Sequence, residues 1–257
     1  MAALDADTAA AMLIWQREWG VDEPICDAPV NRYDTPRKLP EAAPPPVETP
    51  ALLPETGADP VELARAAATA APDLAALAQA MRDFDPMELR QGARNFVFAD
   101  GNPQARVMIV GEAPGAEEDA RGLPFVGKAG QLLDRMFAAI GLSRAAPDAQ
   151  AALYITNVLC WRPPGNRKPE AAEIAMMLPF LERHIDLIGP DLVVMMGNTP
   201  CQALLGQSGI LRLRGTWATV AGRPAMPMTH PAYLLRNPAA KREAWADLLA
   251  IQARLRG

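Results

Sequence analysis

Cysteine is scarce in this chain of 257 residues: Cys26, Cys160 and Cys201 stand far apart, with no Cys-x-x-Cys pair. An odd, scattered set excludes a disulfide framework and suits a reducing compartment, so a cytoplasmic protein is expected. No apolar run approaches the roughly 20 residues that cross a bilayer, so no membrane partner is expected. The N-terminal stretch MAALDADTAAAML is acidic where a secretory signal would be basic. Histidine is scarcer still, at His184 and His230.

Half of the residues are hydrophobic, enough for a substantial core. The length suits one α/β domain with appendages. The net charge of −5 conceals a split. Residues 1–88 carry 16 acidic and 6 basic side chains, a net of −10, and residues 89–257 carry 14 and 19, a net of +5. An acidic arm on a mildly basic body is compatible with a body that touches phosphate, and equally with a solubilising tail on an ordinary enzyme.

Residues 8–20, TAAAMLIWQREWG, can form a short helix burying Leu13, Ile14, Trp15 and Trp19 and stopping at Gly20. Such a helix is marginal alone in water, so it should dock on its own body or on a protein partner. Pro36, Pro40, Pro44, Pro45, Pro46, Pro50, Pro54 and Pro60 mark an extended linker. The expected organisation is an arm over residues 1–33, a proline-rich linker over 34–60 and one domain over 61–257, acting as a monomer. Residues 61–82 are alanine-rich and helical, broken at Pro72. Asn95 to Ala99 reads as a strand leading into an Asp100-Gly101-Asn102-Pro103 turn.

Beyond Arg106, strands alternate with helices. Strands are expected at Val107–Val110, Tyr154–Asn157 and Leu192–Met196. Helices are expected over Gly130–Ile140, Ala171–Ile188, Pro200–Leu205 and Ala240–Leu255. Thr216–Val220 and Pro224–Met228 suggest a last hairpin ending at Thr229-His230-Pro231. This alternation implies three α/β/α layers around a central, mainly parallel four-stranded sheet. Chemically capable residues follow the strand ends: Glu112 the first, Asn157 the second, Gly197 and Asn198 the third and His230 the last. In an open α/β sheet those ends face one crevice, so a binding site is expected there. The Gly111–Gly115 turn lacks the lysine and glycine spacing of a phosphate loop. His184, inside LERHIDL, reads as structural.

The segments GEAPGAEED, PFVGKAG, YITN, RPPGNR, RLRG and THPAYLLRNP, in this order and spacing, resemble uracil-DNA glycosylases of family 4 over roughly residues 92–252. The resemblance implies cleavage of the bond between uracil and deoxyribose in DNA, leaving an abasic site. It implies a base pocket in which Gly111 and Ala113 line the turn, Phe125 stacks on the flipped base and Asn157 reads its edge. An Asn amide offers both a donor and an acceptor, which is what telling uracil from cytosine requires. His230 would donate a hydrogen bond to the uracil carbonyl as charge grows there. Glu112 first, and Asp119 second, are the acids expected to favour the sugar cation or orient water. Glu118 is a further candidate, and Glu117 is expected to be solvated. Lys128, Arg162, Arg167, Lys168, Arg212, Arg214 and Arg236 are candidates for phosphate contacts. Tyr233, Leu234 and Leu235 could wedge into the gap left by the flipped base, or pack on the last helix.

Two departures qualify the resemblance. The family normally holds an iron–sulfur cluster on four cysteines, whereas MRDFDPMELRQGARNF has none, and Trp161 and Met177 stand at the later positions. A cluster needs thiolate ligands, so no metal or cofactor is expected, with Phe84, Met87, Trp161 and Met177 packing there instead. The second is His-Pro-Ala in place of His-Pro-Ser: Ala232 lacks a hydroxyl for phosphate. The segment VLCWRPPGNRKPE also lacks the basic insertion of relatives that capture DNA covalently, which favours turnover. A catalytically silent DNA-binding or scaffold protein is the competing reading.

Overall fold

The structure, a computed structural model, describes residues 59–256. The expected N-terminal arm and most of the proline-rich linker lie outside the described residues. Helix α1 (Pro60–Ala70) starts with Pro60 at its first position and the Asp59 carboxylate accepting from Val61 N at 3.0 Å. After the break at Ala71-Pro72, Asp73 caps α2 (Leu74–Arg82) by accepting from Ala76 N at 2.8 Å. A single turn, α3 (Leu89–Gly92), follows. Then come β1 (Ala99–Gly101), β2 (Val107–Gly111), α4 (Ala116–Arg121) and α5 (Lys128–Ala138). Next are β3 (Leu153–Asn157), α6 (Ala171–Ile188), β4 (Leu192–Met196), α7 (Asn198–Leu205) and α8 (Ile210–Leu213). The chain closes with β5 (Ala218–Val220), β6 (Arg223–Met228), α9 (Pro231–Arg236) and α10 (Lys241–Arg256).

The sheet has six strands in the order β1-β3-β2-β4-β6-β5. Its four central strands run parallel, as expected, and β1 and β5 are short antiparallel edges. The four-stranded expectation is therefore corrected to a parallel centre with an added strand on each side. The first edge also sits later than expected. The residues read as a turn, Asp100 and Gly101, pair with Ile155 and Tyr154. Gly101 makes this possible: at φ +100° a side chain is disfavoured, and a Cβ there would lie 2.1 Å from Leu153 O.

Alternation along each strand builds two cores. Met108, Val110, Tyr154, Val193, Met195 and Ala225 face a layer containing Ala64, Leu77, Ile174, Phe180 and Cys201. Val107, Ile109, Ile155, Val194, Met196 and Met226 face Leu133 and Phe137 of α5 and Leu248 and Ile251 of α10. The result is an α/β/α sandwich. His184, buried on α6, hydrogen-bonds the Tyr154 hydroxyl at 2.8 Å and stacks on Phe98 at 4.5 Å. Burial pushes its pKa down to about 3, so it is held neutral inside the core.

Candidate active site

Register brings the strand ends together. Gly111 at the end of β2 sits opposite Asn157 at the end of β3, and Met196 of β4 sits opposite Met228 of β6. The next residues, Gly197 on one strand and Thr229-His230 on the other, continue this edge, with Gly197 N donating to Met228 O at 2.9 Å. A Cβ on Gly197 would lie 3.4 Å from His230 Cβ. A Cβ on Gly111 would lie 2.3 Å from Asn157 Oδ1 and 2.5 Å from the Phe125 ring. Phe125 in turn stacks beside His230, with ring centroids 5.4 Å apart and planes 27° from parallel. Gly111 thus neighbours Asn157 and Phe125, and Phe125 neighbours His230, although 119 positions separate Gly111 from His230.

His230 is the N-cap of α9, followed by Pro231 at the first helical position. Its Nδ1 accepts from Ala232 N at 3.1 Å, which assigns the proton of the neutral ring to Nε2. Burial, reinforced by the positive charge of Arg236 and opposed by Glu118, pushes its pKa down to about 4. The ring is therefore neutral at pH 7, with one N–H free to donate. The backbone of Ala232, not its side chain, fixes the tautomer, so alanine at this position leaves that contact intact.

Asn157 is 4 % exposed, and its side chain lies against Gly111, where a Cβ would come within 2.3 Å of Oδ1. A side-chain amide placed here offers both a donor and an acceptor to a ligand with matching groups. Phe125, 5 % exposed, is held at φ +52°, a left-handed conformation that a bulky residue rarely adopts.

The acids of GEAPGAEED separate by their partners. Glu112 is half-buried, and its carboxylate accepts a hydrogen bond from the Thr199 hydroxyl in the first turn of α7. Glu118 accepts from Gly115 N with one oxygen, and with the other from Val126 N at 3.0 Å and Gly127 N at 2.9 Å. Asp119 accepts from Arg94 N at 2.8 Å and Asn95 N at 3.0 Å, tying the approach segment to α4. Asp119 is thus engaged by the scaffold and does not join the cluster around Gly111. Glu117 is exposed. Ala113 is half-buried in the turn. Thr199 escaped the sequence reading, since one threonine after Gly197-Asn198 carries no signal until the fold sets it against Glu112. Asn198 instead accepts from Gly209 N and Ile210 N at 3.0 and 2.8 Å.

The expected DNA contacts also divide. Lys128 is exposed at the start of α5, and Lys168, Arg212 and Arg236 are exposed. Arg162 is half-buried and bonds Asn166 Oδ1 at 2.7 Å. Arg167 pairs with Glu173 and Glu170, which steady the start of α6. Arg214 pairs with Asp247, which is 2 % exposed, and with Glu243, so it joins the α8–β5 connection to α10 instead of facing a ligand. Leu234 is 1 % exposed inside the core with α5 and α10, which leaves half-buried Tyr233 and exposed Leu235 as the accessible members of that trio.

A mainly parallel sheet whose strand ends bring Gly111, Asn157 and a neutral His230 to one side, beside the Phe125 ring, defines an α/β protein with its chemically capable residues at one end of the sheet. The sequence profile of the uracil DNA glycosylase superfamily matches residues 98–249, more than half of the chain. The chain is 39 % identical over 148 residues to a type-4 uracil-DNA glycosylase of Thermotoga maritima, covering 56 % of this chain and 73 % of that protein. It is 40 % identical over 161 residues to the type-4 enzyme of Sulfurisphaera tokodaii, covering 59 % and 70 %. For that of Pyrobaculum aerophilum the figures are 35 % over 185 residues, 68 % and 91 %. The chain belongs to the uracil DNA glycosylase superfamily.

The residues at the expected cluster positions do not fit an iron–sulfur group. Phe84, Met87, Trp161 and Met177 are buried together in one apolar core, with Phe84 edge-on to Phe180 at 5.3 Å and Trp161 against Phe96 at 5.0 Å. Cys160 lies in the same core, where burial pushes its thiol up to about 12, away from the thiolate a metal needs. Among the described residues no group of three or more His, Cys, Asp or Glu is placed to hold a metal ion.

Proposed function

We propose that this protein removes uracil from DNA by hydrolysing its N-glycosidic bond, as part of base excision repair. The observation that carries the reading is the convergence of Gly111, Phe125, Asn157 and a neutral His230 at one end of the sheet. A uracil flipped out of the stack lies against Phe125. Its N3–H donates to Asn157 Oδ1 and its O4 accepts from Nδ2; cytosine reverses both and leaves the buried amide mismatched. As the bond from C1′ to N1 breaks, its electron pair moves onto the base. His230 Nε2–H donates to the O2 that takes up this charge, from a ring that needs no prior protonation. Such a preorganised donor is worth about 3–4 kcal/mol. Gly111 allows this close approach because it has no side chain. Glu112 orients the water that adds to C1′ and takes its proton, leaving an abasic sugar and a uracil anion that takes up a proton from solvent on release. Lys128, Arg162 and Arg236 are the cations that support contacts to the flanking phosphates, and Tyr233 with Leu235 supports the wedge.

The chemistry is carried without an iron–sulfur cluster: the buried Phe84, Met87, Trp161 and Met177 support apolar packing in its place. Purified protein is expected to contain no stoichiometric iron or acid-labile sulfide; a visible charge-transfer band would refute this. One chain supplies every residue named, which supports a monomer, and buried free thiols at Cys160 and Cys201 support a cytoplasmic setting. Among the described residues no helix is long and apolar enough to cross a membrane. The deciding assay incubates the protein with single- and double-stranded oligonucleotides carrying one uracil, then cleaves abasic sites with alkali. Strand scission at uracil is expected. Its absence on every substrate, with DNA binding retained, would leave the silent scaffold instead.

A further inference from the structure

We infer that Arg144 is a positioning residue for the base pocket, acting through the backbone of Phe125; the inference rests on the base-excision reading above. Arg144 lies in the connection between α5 and β3, in none of the segments that carry the family resemblance. Its guanidinium is largely buried, with Nη1 donating to Pro124 O at 2.8 Å and Nη2 to Phe125 O at 2.9 Å. Its Nε donates to Asp134 at 2.9 Å, and Nη1 also reaches Asp100 at 3.0 Å.

These contacts meet the one place in the pocket where the backbone is strained. Phe125 at φ +52° persists only if its surroundings hold it there. Three groups do so from three sides. Arg144 grips the carbonyls of residues 124 and 125. The Glu118 carboxylate grips the amides of residues 126 and 127. Gly130 leaves room for the Phe125 carbonyl, which a Cβ there would approach to 1.8 Å. A planar guanidinium can serve two neighbouring carbonyls and two carboxylates at once, whereas an ammonium is a point donor. Without the fork, Phe125 relaxes toward negative φ, and its ring leaves both Gly111 and the face of His230. Arg144 touches no part of the base, so its effect on excision runs through ring placement.

The test compares wild type, Arg144→Lys, Arg144→Ala and Asp134→Ala on a uracil-containing oligonucleotide, well below each Tm. Arg144→Lys is expected to lower kcat/KM by about 10–100-fold, the scale of a roughly 1 Å misplacement. Asp134→Ala should stay within twofold of wild type. A role limited to balancing the charges of Asp100 and Asp134 would be rescued by lysine, so wild-type kinetics in Arg144→Lys would overturn the inference. If Arg144→Ala fails to fold, the lysine variant decides alone. Amide exchange gives a readout that needs no activity: Val126 and Gly127 should exchange at least tenfold faster in Arg144→Lys, with the amides of β2 unchanged. Unaltered exchange there overturns the inference. An inactive wild type would instead sink the base-excision reading and leave the exchange result to stand by itself.

Discussion

Gly111→Ala adds one methyl group at the strand end, where Gly111 packs against Asn157 and Phe125. The backbone tolerates alanine there, because Gly111 is not among the glycines at positive φ, so the effect is one of space. The new Cβ would lie 2.3 Å from Asn157 Oδ1 and 2.5–2.6 Å from two atoms of the Phe125 ring. Contacts under 3.0 Å force a shift of several tenths of an ångström, and both neighbours are buried and backed by the scaffold. The overpacking should cost about 1–3 kcal/mol of stability, which leaves a domain of this size folded. The catalytic cost is larger, because the methyl group displaces the ring and the amide together from the plane the base must occupy. A misplacement of about 1 Å is worth roughly 100-fold, so kcat/KM for uracil release should fall by about that factor. The assay is single-turnover excision from a 5′-labelled oligonucleotide, with circular dichroism and a thermal melt as controls. Gly92→Ala, where a Cβ meets nothing within 4 Å, serves as the matched substitution and should be silent. A Gly111→Ala enzyme within threefold of wild type would refute the pocket geometry drawn from these contacts.

His230→Ala should lower the excision rate by about 10²–10³-fold while DNA affinity changes little, as measured by single-turnover kinetics beside filter binding. The pKa of His184 is pushed down to about 3, so below its unfolded value of about 6.5 the unfolded chain binds a proton that the folded chain refuses. Stability is therefore lost as pH falls, by ~2 kcal/mol between pH 7 and 5. His230, pushed down to about 4, adds a loss of similar size, so urea melts at the two pH values should show a fall for His184→Gln that is ~2 kcal/mol smaller than for wild type. Arg214→Ala should destabilise the fold by about 3–5 kcal/mol, because it strands the buried Asp247. The same variant should leave the salt dependence of DNA binding unchanged; a shallower slope would return Arg214 to the interface.

The centre of the sheet was legible because buried parallel strands read as continuous apolar runs, as in VMIV and LVVMM. Its first edge was not: Ala99–Gly101 has no apolar pattern and pairs through residues that look like a turn, whereas the far edge, Ala218–Val220, falls inside the expected hairpin arm Thr216–Val220. The six-residue helices α4 and α9 were missed because each begins in the loop chemistry of a Gly/Pro motif. In the site, Gly111, Asn157 and His230 could be placed together from sequence, since each ends a strand or follows one, whereas Phe125 was placed there by the family resemblance. Arg214 could not be separated from Lys128, because its partner Asp247 lies 33 positions away. Sequence carries charge but not the distant group that neutralises it.

The same limit explains the three carboxylates. Glu112, Glu118 and Asp119 have the same chemistry on paper, and their partners lie at Thr199, at residues 126–127 and at residues 94–95. Glu118 and Asp119 accept from backbone amides whose directions are fixed by the chain, so pulling either carboxylate toward a water would leave buried N–H groups unpaired. Glu112 accepts from a hydroxyl, which can rotate to another acceptor at little cost. Of the three, it is the carboxylate that can exchange its partner for a water during turnover without unmaking the loop. That leaves Glu118 holding the turn and Asp119 tying the approach segment to α4.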